Sequence, residues 1–131
     1  MESRLVWNDR YSVGVNIIDK EHKKLFRILN KLFEFGELET KRPWVCQETV
    51  KYFKDHAVRH FKDEEDYMER IHYEGLPAQR RAHGSFIERI EGIDLNTVDG
   101  DPKLYLQSLI EFLLGWLINH ILYTDKKIPK E

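Results

Sequence analysis

The side chains in this sequence best suited to chemistry are imidazoles and carboxylates set among apolar residues at helical spacing. His60 and Glu64 lie four residues apart and His56 lies four before His60, so the three extend one helical face that also carries Phe53. His22 continues a face holding Leu25, Leu29 and Leu32. His83 lies beside Ala82 and Phe86, and His120 follows Leu113 and Trp116. One histidine on an apolar face is ordinarily a core residue with a hydrogen bond. Four on four separate faces, one accompanied by a carboxylate, point to a shared purpose, because burying such groups unpaired is costly. Imidazole and carboxylate are ligands of first-row transition metals. Two cations held together also need bridging anions. Glu64 is one candidate and Asp125 is the other, although it stands five residues after His120, a step that turns away from the histidine in an ideal helix. To reach the same point it needs a loosened or π-type last turn, or a place just past the helix end.

These residues must be carried by helices. The segment from Trp7 to Ile18, rich in Asn, Asp, Ser and Gly, reads as an extended arm. Asp19 stands where an N-cap should be, and the stripe His22, Leu25, Phe26, Leu29, Leu32 and Phe33 leads to an end near Gly36. A second helix starts near Pro43 and carries Cys46, Val50, Phe53, Ala57, Phe61, Met68 and Ile71 to about Tyr73. Gly75 marks a turn. Pro77 suits the first turn of a third helix, with the stripe Ala82, Phe86, Ile87, Ile90 and Ile93. After the loop Asn96 to Asp101, Asp101 as cap and Pro102 as first helical residue open a fourth helix. That helix carries Leu106, Leu109, Ile110, Leu113, Trp116 and Leu117 into the 120s, with Pro129 beyond it.

Four amphipathic helices with short connections predict an all-α fold, an antiparallel up-down-up-down four-helix bundle with an extended N-terminal arm, formed by residues 1–131 as one domain. In such a bundle the early histidines of the first and third helices and the late ones of the second and fourth meet at one end. His60 and Glu64 are separated by about 6 Å along their axis, enough for one end ligand and one bridging carboxylate.

Composition narrows the function. The 41% hydrophobic content supports a core and the 34% charged content a solvated exterior, while a net charge of -2 with dispersed Lys and Arg argues against a nucleic-acid partner. The first residues lack the apolar run of a signal peptide, and no stretch reaches the roughly 20 apolar residues of a membrane span. No membrane partner and a cytoplasmic location are expected. The single Cys46, between Val45 and Val50, excludes an intrachain disulfide and reads as an inert, half-buried thiol.

The motifs resemble those of the hemerythrin family, in its bacterial branch, over nearly the whole chain. Trp7-Asn8-Asp9-Arg10-Tyr11-Ser12-Val13-Gly14-Val15, followed by Ile18 to Leu25 with Glu21-His22, is similar to that family's opening signature. His60-Phe61-Lys62-Asp63-Glu64-Glu65 through Met68 resembles its second-helix motif, and Tyr73 through His83-Gly84-Ser85-Phe86 its third. Trp116-Leu117-Ile118-Asn119-His120 with Asp125 resembles its fourth, including the five-residue step. The resemblance implies two iron ions, with His22 and His60 as terminal ligands of one and His83 and His120 of the other. Glu64 and Asp125 would bridge both, beside an oxo or hydroxo bridge. It also implies reversible dioxygen binding at the iron with fewer histidines, for oxygen storage, delivery or sensing, with an oxygen-using enzyme as a candidate partner.

One position departs from the pattern. The family's third helix usually supplies two histidines four residues apart, and here the earlier one is Gln79. Gln79 would ligate through its amide oxygen, leave the place to water, or leave the second iron loosely held; the first two are favoured. His56 could replace a ligand but is better placed as a core or outer residue, and His72 sits at a turn in solvent. Glu65, Asp66 and Glu69 read as surface charge, any of which could orient a ligating histidine. Phe26, Leu29, Phe61, Trp116 and Leu117 could line an oxygen pocket, and the chain's length favours a carrier over a sensor with an output domain. The rival is a di-iron enzyme acting on oxygen, peroxide or nitric oxide. A ferritin-like enzyme is disfavoured, because the one Glu-x-x-His spacing, Glu69 to His72, falls at a helix end. A metal-free bundle would bury imidazoles and a carboxylate without partners, at several kcal/mol.

Overall fold

The computed structural model describes residues 5–37, 43–92 and 102–130. Four helices carry these residues: α1 (Asn16–Glu37), α2 (Pro43–Arg70), α3 (Leu76–Glu91) and α4 (Pro102–Tyr123), with 3-10 turns at Asp9–Tyr11 and Asp125–Lys127. There is no strand among the described residues, and α1 packs against α2 and α4 while α2 packs against α3. This is the all-α four-helix bundle the periodicity predicts. No described helix is long and apolar enough to cross a membrane. The loop 96–101 with the Asp101 cap, Ile93, and the side chains of Phe33, Cys46 and Leu106 lie outside the described residues.

Each helix turns one stripe inward. Ile18, His22, Leu25, Leu29 and Leu32 are buried along α1, and Val50, Phe53, Ala57, His60, Phe61, Glu64 and Met68 along α2. On α4 the buried set is Leu109, Ile110, Leu113, Leu117, His120 and Ile121. The α3 face is rotated from the expected one. Leu76, Gln79, His83, Phe86 and Ile90 are buried, while Ala82 and Ile87 are only half-buried at its edges. Apolar residues alone misplace this stripe, because two of its central positions are polar.

The arm and the helix ends depart from the sequence reading in informative ways. Asp19 is not the N-cap of α1, which begins three residues earlier. Its carboxylate instead reaches back, accepting from the Val13 amide at 2.8 Å and the Ser12 hydroxyl at 2.6 Å. That brace seats Val13 and Val15 in the core. Further out, Asn30 exchanges two hydrogen bonds with the Leu5 backbone, and Trp7, Tyr11 and Phe26 form an aromatic cluster with centroids 5.1–5.7 Å apart.

At the other end of the site, α2 stops at Arg70 rather than near Tyr73. The Tyr73 amide bonds the Met68 carbonyl at 2.9 Å and the His72 amide bonds the Glu69 carbonyl at 3.1 Å, with His72 at φ 58°. This is a Schellman ending, which places its residue after the cap in left-handed backbone and favours glycine there. His72 bears that conformation at a cost of about 1 kcal/mol. His72→Gly is therefore expected to raise the thermal midpoint by about 4 °C, and His72→Val to lower it, in thermal unfolding followed by circular dichroism. An unchanged midpoint in the glycine variant would contradict a strained ending.

Candidate metal centre

His22 from α1, His60 and Glu64 from α2, His83 from α3, His120 from α4 and Asp125 from the 3-10 turn after it converge in the core, each at most 7% exposed. Asp125 is delivered by the helix ending. The Thr124 amide still bonds the His120 carbonyl, and Lys127 and Ile128 then close a tighter turn on Thr124 and Asp125. Ile128 is buried, and the Tyr67 hydroxyl donates to the Pro129 carbonyl at 2.9 Å, pinning the segment against α2. Of the alternatives the five-residue step left open, the carboxylate just past the helix end is the one adopted.

The side chains form two overlapping groups, His22, His60, Glu64 and Asp125, and Glu64, His83, His120 and Asp125. In each, the potential ligand atoms lie within 4.8 Å of one another. Glu64 Oε2 is 3.2 Å from His60 Nε2 and 3.6 Å from His22 Nε2, while its Oε1 is 3.1 Å from His83 Nε2. Asp125 Oδ2 is 3.2 Å from His22 Nε2, and Oδ1 is 3.1 Å from His120 Nε2. Both carboxylates thus offer one oxygen to each group. Two atoms bound side by side on one cation at about 2.1 Å stand about 3 Å apart, which is the spacing here. The donor set therefore fits a pair of cations, and a second observation agrees: His22 Nε2, both Glu64 oxygens and Asp125 Oδ2 are buried with no hydrogen-bond partner among the described residues.

Gln79 is buried within the second group. Its amide nitrogen donates to Asp125 Oδ1 at 3.0 Å, and its amide oxygen lies 2.9 Å from His120 Nε2. Behind the rings, His60 Nδ1 lies 2.9 Å from Glu21 Oε1 and His83 Nδ1 lies 2.7 Å from Glu65 Oε2. A carboxylate there accepts the Nδ1–H and leaves the Nε2 lone pair facing the centre. Glu65 is one of the acids that the sequence singles out as able to orient a histidine. Glu21 is not, because nothing in its spacing connects it to a histidine 39 residues away. Asp66 pairs with Lys62 and Glu69 with Arg80 at the surface. His56 is outside both groups, packed edge-on to the half-exposed Tyr52 at 4.4 Å.

Aromatic rings wall the second group. Phe61 stacks on His83 at 3.9 Å and Trp116 on His120 at 4.4 Å, with Phe86 stacked on Trp116. Of the other residues expected to line a pocket, Leu29 and Leu117 are buried, whereas Phe26 packs in the arm cluster with Trp7 and Tyr11.

The charges interlock. Burial opposes a proton on His60, but the Glu64 carboxylate and the bond to Glu21 push its pKa up to about 10. Burial likewise opposes ionisation of Glu64, yet the charged His60 ring and the close His22 and His83 rings hold its carboxyl well below the usual range. In the metal-free chain the His60 contribution to stability is present below its ordinary 6.5 and lost as pH rises toward about 10. The Glu64 contribution is present above 4.5 and lost as pH falls. The metal-free fold should be most stable between these two ordinary values. A cation must displace the His60 proton, so loading at pH 7 is expected to release protons. Calorimetric titration in two buffers of different ionisation heat should then give different apparent enthalpies, and identical values would contradict a protonated His60.

Comparison with known proteins agrees with this geometry. Residues 13–129 match the family model of the hemerythrin HHE cation binding domain. A bacteriohemerythrin of Clostridium acetobutylicum is 34% identical over 124 residues, spanning 93% of this chain and 96% of its own length. A hemerythrin-like protein of Naegleria gruberi is 31% identical over 92% of this chain and 87% of its own length. In three dimensions, a crystal structure of wild-type hemerythrin matches with a TM-score of 0.82 at 23% identity, over 94% of this chain and 93% of that one. The chain belongs to the hemerythrin family.

Proposed function

We propose that this chain is a non-heme di-iron protein that binds dioxygen reversibly, as a cytoplasmic store or carrier serving an oxygen-using enzyme. The observation that carries this is the pair of ligand groups sharing Glu64 and Asp125, with buried polar atoms that find no hydrogen-bond partner among the described residues. His22 and His60 would hold one iron and His83 and His120 the other, with Glu64, Asp125 and a solvent-derived oxo or hydroxo group between them. Bound there, ferrous iron would supply the electrons on which dioxygen binding depends.

The protein's own residues divide the remaining tasks. Phe61, Phe86 and Trp116 stack around His83 and His120 and give that side an aromatic wall. Gln79 places its oxygen beside His120 Nε2 at a spacing suited to a shared cation, while its amide nitrogen holds Asp125 Oδ1. An amide oxygen is a weaker and harder donor than imidazole, so the second cation would be held less firmly than in relatives with a histidine there. That substitution also favours the second reading, an enzyme acting on oxygen, peroxide or nitric oxide.

Protein purified in air should carry about two irons per chain and the ultraviolet and visible bands of an oxo-bridged pair. After reduction, admitting oxygen should give a colour that lasts for minutes and is reversed under argon. Immediate bleaching with turnover of added peroxide would favour the enzyme. One iron per chain would mean that Gln79 disables the second position. Gln79→His should slow autoxidation severalfold; an unchanged rate would show that residue 79 does not contact the cation.

A further inference from the structure

The two carboxylates behind the ligating rings are not equivalent. Glu21 stands against His60 with a second acid, Asp63, beside it. Glu65 stands against His83 with a cation beside it, since Arg80 Nε lies 3.4 Å from Glu65 Oε1. The side chain of Glu65 is 22% exposed and that of Arg80 is 52% exposed. Both line a groove of about 600 Å³ between α2 and α3, with Phe61, His83 and Gly84 also in its wall. The bond from His83 Nδ1 to Glu65, at 2.7 Å, is shorter than those at the rings of His60 and His120.

Building on the di-iron centre proposed above, we infer that Glu65 is a positioning residue for His83 and sets the reduction potential of the second iron, and that Arg80 opposes it from the groove. Accepting the Nδ1–H has two effects. It fixes the ring so that Nε2 faces Glu64 and His120, and it places a negative charge one ring away from the cation, which favours the ferric over the ferrous state. Arg80 withdraws part of that charge. The second position is where such support matters, because Gln79 gives it a neutral oxygen in place of a third imidazole. It is also the one of the two whose supporting acid is paired with a cation at the surface, Arg80 in the wall of the groove.

The two residues therefore act with opposite signs, which a merely structural role would not produce. In the iron-loaded protein, Glu65→Gln keeps the shape of the side chain and removes its charge. It should raise the potential by about tenfold in the reduction equilibrium, or about 59 mV for one electron. Arg80→Gln, at an exposed position, should lower it. Redox titration followed by the visible spectrum, with iron counted before and after chelation, reads both. Selective loss of one of the two irons from Glu65→Gln would support the same role, with Arg80→Gln still supplying the potential. Two irons retained with unchanged potentials, or a shift of the same sign in both variants, would overturn the inference. Wild-type protein taking up fewer than two irons would instead overturn the di-iron reading beneath it.

Discussion

Four imidazoles and two carboxylates occupy one water-excluded point, and the rest of the structure accommodates that fact. Each group is costly to bury alone. Their nitrogens and oxygens stand mutually about 3 Å apart, which is too many acceptors for the few protons that could lie between them. His83 and His120 face each other through Nε2 at 3.2 Å, while Glu65 already takes the Nδ1–H of His83. Protonating His60 relieves one pair in the metal-free state and leaves Glu64 and Asp125 under-satisfied. Positive charge placed within the two groups would resolve all of these contacts at once, so a cation pair bound there would also be a folding element.

The bundle is arranged to hold that point. All four helices and the turn beyond α4 contribute, and the Schellman ending of α2 and the short passage to α3 fix His60, Glu64 and His83 relative to one another. The two chain ends meet each other beside the bundle. Asp19 draws in the arm, and the Pro129 region docks on Tyr67 and covers Gly14, whose left-handed backbone leaves room for the Lys130 stem. Asp125 sits inside this closure, which explains how a carboxylate beyond the last α-helix can be held fully buried.

Much of this is legible in the sequence because it follows helical period. His22, His60, Glu64, His83 and His120 announce themselves as polar residues continuing apolar stripes, and the family resemblance assigns Asp125 and Gln79. What stays hidden depends on how a helix is rolled against its neighbours. The α3 stripe is misphased by a hydrophobic tally because Gln79 and His83 count as polar there, yet they are its buried centre. Asp19 looks like a cap because its type suits one, but the preceding arm gives α1 an earlier start. Glu21 and Glu65 both neighbour ligand positions in sequence, and only the packed structure shows which ring nitrogen each one meets.

Anomalous diffraction at the iron edge from crystals of the loaded protein tests most directly whether Glu64 and Asp125 share a pair of cations. Two peaks are predicted in the core, one within about 2.1 Å of His22 and His60 Nε2 and the other equally close to His83 and His120 Nε2, with a carboxylate oxygen of each acid on both. A single peak, or iron located away from these six side chains, would contradict it.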